Sequence, residues 1–282
     1  MKLAVPNKGR LHQEALDLLN RAGLKIPYGD RRLTVTAGGG KYQVLFVQTK
    51  DIPEYVEMGA SDAGITGWDL VREQGADVER LLDLGFGRCK LVVAAPRDLG
   101  IGSVEEIPKG IRVATAFPKL TEQFFKKNTI QVQVIPVSGA TEVTPSIDVA
   151  EIITDITETG TTLQRNGLEA IGTILESEAV LIANRTERAD ELNELVMSLN
   201  SVLSAARKRY LMANVPKENL DRVRALLPGI SGPTVVEVVG SDEAMVAVHA
   251  VVDEMEINGL IPRLKQERAT GILVLPIERM VG

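Results

Sequence analysis

The chain is predicted to be an α/β protein with mainly parallel sheet, and three features of its 282 residues carry that prediction. Short runs of Val, Ile and Leu alternate with amphipathic stretches of helical period, the signature of βαβ units. Aromatic residues make up 4% of the chain and apolar residues 44%, so the core must be aliphatic, as in sheets buried on both faces. The rhythm restarts near residue 95 and changes in kind near residue 208, which divides the chain into two lobes and a tail.

In order, KLAV (2–5) is a strand, PNKGR a turn, and the next segment a helix with Leu11, Ala15, Leu18, Leu19 and Ala22 on one face, closed by Gly23. LTVTAGG and YQVLFVQ are strands around a glycine-rich turn. DIPEYVEMGA is a helix capped by Asp51 with Pro53 in its first turn. DAGITGWDL is a strand, a tight turn and a helix start, and LVVAAP (91–96) is a buried strand. The second lobe, 95–177, begins with a helix around VEEIP, then the strand IRVATA, a helix through LTEQFFKKN and the strand VQVIPV. AVLIANR (179–185) is a strand suited to return to lobe I, so lobe I is 1–94 completed by 178–207, including a long amphipathic helix at 192–209. In the tail, KRYLMANVP, ENLDRVRALLP, TVVEVVG, MVAVHAVVD about a Ser241-Asp242 turn, EINGLIPRLKQER and GILVLPI follow the order βαββαβ. That is the ferredoxin-like unit, and it makes 208–282 a third domain. Its open sheet edges predict a homo-oligomer.

Composition excludes several functions. A net charge of −6 argues against broad nucleic-acid binding, and one cysteine permits neither an intrachain disulfide nor a cysteine-based metal cluster. Pro6 and early charge leave no signal-peptide core, and no apolar run approaches the roughly 20 residues of a membrane span. The expected location is cytoplasmic. His12 and His249 lack a carboxylate partner in sequence and are read as structural or surface residues, and Cys89 as a packed thiol.

Three stretches carry candidate chemistry. In ITDITETGTTLQRNGL (153–168) a β-branched strand ends at Asp155 and passes through Thr157, Glu158, Thr159, Gly160, Thr161 and Thr162 into a short helix stopped at Asn166-Gly167. Hydroxyls, a glycine turn and unpaired N–H groups at a helix start suit a phosphate, and a carboxylate at a strand's exit suits ribose hydroxyls or a metal-bound phosphate. The competing reading is a structural turn whose threonines cap the helix. In PNKGRL (6–11) Lys8 and Arg10 flank Gly9 at a strand-to-helix junction, where two cations can converge on a polyphosphate; a solvent-facing loop explains it equally well. In GITGWDL (64–70) Gly67 allows close approach of a ligand and Asp69 can accept from a sugar or base, or cap the next helix; Trp68 reads as packing. Glu142, in SGATEV, is a second acidic contact from lobe II or a helix-start carboxylate, and Arg88 and Lys90 beside Cys89 can edge a cleft.

The order PNKGRL, DIPEYVEMGASDAGITGWDL, GFGRCKLVVAAP, SGATE and DITETGTTLQRNGL resembles the ATP phosphoribosyltransferase family, and the tail resembles the regulatory domain of its long form. The resemblance spans essentially the whole chain. It implies a two-lobed core arranged like a periplasmic binding protein, an ACT-type regulatory tail, and transfer of phosphoribosyl from PRPP to N1 of ATP with Mg2+ as cofactor. It places Asp155 with Thr157, Glu158, Thr159, Gly160, Thr161 and Thr162 on PRPP, and Lys8, Gly9, Arg10, Lys50, Gly67 and Asp69 on ATP. Asp155, Lys8 and Arg10 are then the catalytic group, and Asp155 and Glu142 the metal contacts. Histidine is implied as feedback inhibitor, at Asn214, Thr234 and Ala269, in an assembly of two to six subunits. Three positions depart from the family pattern: Gln48 in QTKD stands where an arginine is usual, Asp148 where glycine is usual, and Asn214 where an acid is expected for the effector's amino group. The rival expectation is an intracellular two-lobed metabolite sensor without catalysis.

Overall fold

The structure, a computed structural model, describes the chain except residues 28–32, 185–188, 228–231, 239–243 and 282; the expected Ser241-Asp242 turn lies outside the described residues. The described residues fall into two units, 1–196 and 197–282, so the tail separates inside the long helix, ahead of Lys208.

The first unit holds two sheets. One contains β1 (Lys2–Pro6), β2 (Thr34–Ala37), β3 (Tyr42–Val47), β4 (Ala63–Gly67), β5 (Glu79–Asp83) and β11 (Ala179–Ala183), in the order β2-β3-β1-β4-β11-β5. The other contains β6 (Cys89–Pro96), β7 (Ile111–Thr115), β8 (Val132–Pro136), β9 (Ile152–Thr157) and β10 (Leu168–Ser177), in the order β10-β6-β9-β7-β8. The expectation of mainly parallel sheet needs correction. β1 runs parallel to β3 and β4, and β7 parallel to β8 and β9, but β2, β5, β6, β10 and β11 join antiparallel. The physical reason is the path of the chain. It leaves the first sheet through residues 84–88 and returns through Ser177-Glu178, and the strands that make those crossings run against their neighbours, while β2 turns back on β3 through Gly38–Gly40.

Each sheet is buried by aliphatic side chains as the composition requires. Leu3, Ala4, Val5, Ile65 and Val180 to Ala183 are fully buried in lobe I, and Val93, Val113 and Ile152 pack with Phe125 in lobe II. Helices α1 (His12–Arg21), α2 (Ile52–Glu57), α3 (Trp68–Gln74), α4 (Pro118–Lys127) and α5 (Thr161–Arg165) form close to where periodicity puts them. Four local expectations fail. VEEIP makes only a 3-10 turn, Asp51 makes no side-chain cap to α2, Glu142 sits in a 3-10 turn rather than at a helix start, and β4 enters α3 directly at Gly67 with no separate turn. In the first of these the segment is too short to nucleate a full helix between Ser103 and Pro108.

Helix α6 (Ala189–Ala205) leads into the second unit. There β12 (Lys208–Pro216), α7 (Leu220–Leu226), β13 (Thr234–Glu237), β14 (Met245–Asp253), α8 (Ile257–Gln266) and β15 (Thr270–Pro276) give a four-stranded antiparallel sheet ordered β13-β14-β12-β15. That is the ferredoxin-like arrangement. The alternation along β12 and β14 buries Leu211, Ala213, Val215, Val246, Val248, Ala250 and Val252 on one face with residues of α7 and α8. No helix among the described residues is long and apolar enough to cross a membrane.

Candidate active site

Parallel pairing brings the carboxyl ends of β3, β1 and β4 to one edge of lobe I. Lys50, then Lys8 to Arg10, then Gly67 to Asp69 follow those three strands, so residues far apart in sequence share one rim. In lobe II, β7 and β9 are parallel neighbours with Thr115 opposite Thr154, and the threonine loop leaves the same edge. Ligands bind α/β sheets at such carboxyl ends.

The loop is held from within. Gly160 takes a left-handed conformation, φ 79°, which favours glycine, and its N–H donates to Thr157 Oγ1 at 2.8 Å. The Gly160 amide is therefore taken up within the loop. Thr159 and Thr161 join through their hydroxyls at 2.8 Å, and Thr161 and Thr162 open α5, where the first N–H groups have no intrahelical acceptor. Beneath the loop lies a cluster that sequence reading missed. Thr154 Oγ1 is 2.6 Å from both Thr115 Oγ1 and Thr121 Oγ1, all three side chains are fully buried, and Thr115 Oγ1 also accepts the Phe117 N–H. Three hydroxyls drawn from β7, α4 and β9 lock the edge that carries the loop.

Asp155 is half-buried on β9 and accepts the N–H of Ile156 at 2.7 Å. Burial pushes its carboxyl above the ordinary value, the nearby charge of Glu142 adds to the push, and the Ile156 amide and Thr141 hydroxyl oppose it. Two carboxylates that repel each other in a partly dry place are stabilised by a cation. Among the described residues no group of three His, Cys, Asp or Glu side chains gathers to hold a metal, so a metal ion here would take at most these two side chains and complete its shell from elsewhere.

Across the gap, Gly9 is left-handed, φ 85°, and His12 Nδ1 bonds Pro6 O at 2.6 Å, which shapes the turn bearing Lys8 and Arg10. Arg10 Nη1 donates to Gly87 O on the crossover, and its Nε lies 3.6 Å from Glu158 in lobe II. A cavity of 330 Å³ is lined by Arg10 on one side and Ile156, Thr157, Glu158, Thr159, Thr161 and Thr162 on the other. Glu158 also lines an adjoining 310 Å³ cavity bearing Arg80, Arg88 and Lys90, with Arg80 4.6 Å above the Trp68 ring. Lys8, Gln48 and Lys50 are exposed on the rim. Asp69 is buried instead: its Oδ1 accepts the Ser177 hydroxyl at 2.6 Å, and its N–H donates to Ser177 Oγ at 2.9 Å. A Cβ at Gly67 would fall 2.4 Å from Asp69 Oδ1, so a larger residue there would displace that carboxylate. Burial holds the Cys89 thiol above its ordinary value, in keeping with a packed side chain.

A cavity of 810 Å³ against the second sheet is lined by Arg97, Arg112, Asp148 and Glu151, and also by Glu142 and by Asn166 and Gly167 at the end of α5. Asp148 is left-handed there, φ 58°, a conformation that favours glycine, and Arg112 holds its carbonyl at 2.9 Å. In the second unit Asn214 pairs with Thr270, next to the buried Ala269, while Thr234 pairs with His249 on the far side of the sheet. Thr234 lines a 340 Å³ cavity with Tyr210 and His249, whose side chains bond at 2.6 Å. One copy of the chain thus brings Asn214 and Ala269 together and leaves Thr234 apart.

Two mixed-sheet lobes joined by two crossings, with a hydroxyl loop facing an arginine across a cavity, define a two-lobed α/β protein with a cleft between its lobes. The fold alone is shared with the substrate binding protein of an amino acid ABC transporter, at TM-score 0.50 and 11% identity, covering 73% of this chain and 94% of that one. The chain belongs to the ATP phosphoribosyltransferase family, which matches residues 48–204, followed by the family described as HisG, C-terminal domain, over 205–279. It is 50% identical to the ATP phosphoribosyltransferase of Natronomonas pharaonis over the full length of both chains. It is 48% identical to that of Methanothermobacter thermautotrophicus, covering 100% of this chain and 99% of the relative. Among solved structures, the ATP phosphoribosyl transferase (HisG:HisZ) complex from Thermotoga maritima superposes with TM-score 0.61 at 27% identity, over 71% of this chain and 96% of that one.

Proposed function

We infer that the cleft between the lobes grips PRPP through the threonine loop and presents ATP from the rim of lobe I. The reaction is phosphoribosyl transfer from PRPP to N1 of ATP with release of pyrophosphate, the first step of histidine biosynthesis. The observation that carries the site reading is the cavity in which Arg10 faces Thr157 to Thr162. A non-catalytic sensor is not favoured, because full-length relatives bear the transferase name.

The adenine N1 lone pair attacks C1 of the ribose as the bond from C1 to the pyrophosphate oxygen breaks, so no side-chain nucleophile is needed. Catalysis then rests on alignment and on charges placed where they develop. Thr157, Thr159, Thr161 and Thr162 hold the 5′-phosphate with the opening amides of α5, while Asp155 accepts from ribose hydroxyls. Lys8 and Arg10 draw off the charge of the leaving pyrophosphate, with Glu158 yielding Arg10 as the phosphate arrives. Lys50 and Gly67 lie along the ATP side, and Asp69 supports that side from beneath. A metal ion serves this family's reaction. Mg2+ fits Asp155 and Glu142 together with substrate oxygens, and it would supply charge neutralisation at the diphosphate.

Histidine acts through Asn214, Thr234 and Ala269 of the tail in this reading, and the separation of Thr234 from the other two fits a site shared between copies. The half-exposed Val236, Leu273 and Leu275 on the open sheet support association of such domains. The test is incubation with ATP, PRPP and Mg2+: a phosphoribosylated adenine nucleotide and pyrophosphate are expected in equal amounts, and their absence overturns the reading. Deleting 208–282 should retain product formation and abolish inhibition by histidine, measured by pyrophosphate release.

A further inference from the structure

We propose that Glu73 is a positioning residue for this transfer, a lobe I carboxylate that caps a lobe II helix and so holds the cleft at its working width; the proposal rests on the transferase reading above. Helix α4 makes no side-chain cap of its own: Phe117 stands at the N-cap, and Pro118 at the first helical position has no N–H. The next two N–H groups, of Lys119 and Leu120, donate to Glu73 Oε1 and Oε2, each at 2.9 Å, and Lys119 Nζ donates to Gln74 O at 2.9 Å. A carboxylate taking two opening amides meets both the unpaired donors and the positive end of the helix dipole. Here the cap comes from the other lobe.

The helix that supplies it is anchored at its other end. Trp68 N–H donates to Glu178 O at 3.0 Å, and Asp69 and Ser177 exchange the two bonds already described, all on the return crossing. Helix α3 is therefore a strut about 10 Å long between the crossing and α4. Because α4 follows β7, and β7 neighbours β9, displacing α4 displaces the edge that bears the threonine loop relative to Arg10. The Arg10–Glu158 contact also spans the lobes, but at 3.6 Å against 2.9 Å for each Glu73 bond, which leaves Glu73 the better-formed link.

If the latch sets the fraction of molecules with a formed cleft, its loss lowers apparent affinity without altering chemistry in the formed state. Full-length protein is made with Glu73→Ala and Glu73→Gln, each also carrying Glu14→Cys and Lys126→Cys for spin labels on exposed positions of the two lobes. Glu73→Ala should lengthen and broaden the label separation without substrate, and saturating PRPP should restore it. The same change should raise the KM for PRPP about fivefold or more with kcat within about twofold, and Glu73→Gln, keeping one acceptor, should fall between. An unchanged separation, an unchanged KM, or a fall in kcat at constant KM overturns the proposal. If Glu73→Ala does not fold, Glu73→Gln decides by the same readings. The label separation is independent of turnover, so a wild type that makes no product refutes the transferase reading while the latch is still judged.

Discussion

The two rims of the cleft solve the same electrostatic problem by different means. Lobe II offers a loop braced by Thr157 on Gly160 and by the buried Thr115–Thr121–Thr154 cluster, with a partly desolvated Asp155. Lobe I offers Lys8, Arg10 and Lys50 on exposed turns, with Asp69 hidden beneath. One rim fixes geometry through short buried bonds, and the other delivers charge through side chains that water and salt can reach. In the proposed transfer, positioning needs rigidity and charge neutralisation of a leaving group tolerates movement, and the division suits both.

Substitutions on each rim can break this contrast. The largest effect is expected at Asp155→Asn, which should cut turnover by tens-fold or more through lost ribose positioning, read by pyrophosphate release. The same change should raise the melting temperature of the unliganded protein near neutral pH. Because the folded carboxyl is held above its unfolded value, Asp155 favours folding only while protonated, and that contribution is lost as pH rises through the folded pKa. The melting difference should therefore vanish below the ordinary Asp value of about 3.9 and grow toward neutrality. A variant that melts at the parent's temperature at every pH would show that Asp155 is not desolvated.

Arg10→Ala comes next, with a fall of about tenfold in kcat/KM for PRPP. An equal fall at Lys8→Ala would remove the distinction drawn between a residue bonded on both lobes and one on an open turn. Thr154→Val strips a hydroxyl from a fully buried cluster and should destabilise the protein by about 1–3 kcal/mol in denaturant unfolding. Neutrality there would show that the rigidity of lobe II lies elsewhere. The smallest effect is expected at Lys8→Ala: about two- to fivefold in KM for ATP, fading as salt rises. An effect indifferent to ionic strength would place Lys8 in a dry, fixed contact.

What could be read before folding was local and contiguous. The strand, glycine turn and short helix of 152–167 formed as their residue types require, and the βαββαβ order of the tail produced its four-stranded sheet. β5 escaped notice because ERLLD is a charged edge strand. β10 escaped because register shifts near Gly172 and between Thr173 and Leu175 break its twofold alternation.

The sequence by itself determined where most helices and strands arise, where the chain changes rhythm, and which loop carries hydroxyls and glycine. These depend on spacings of a few residues, which backbone sterics and amphipathic burial read directly. Only the tertiary structure decided that the crossing strands run antiparallel, that Asp69 turns inward to Ser177, that three distant threonines meet, and that Glu73 of one lobe caps a helix of the other. Those contacts join residues brought together by burial rather than by proximity along the chain. A pattern in sequence holds no record of which partner a buried polar group will find.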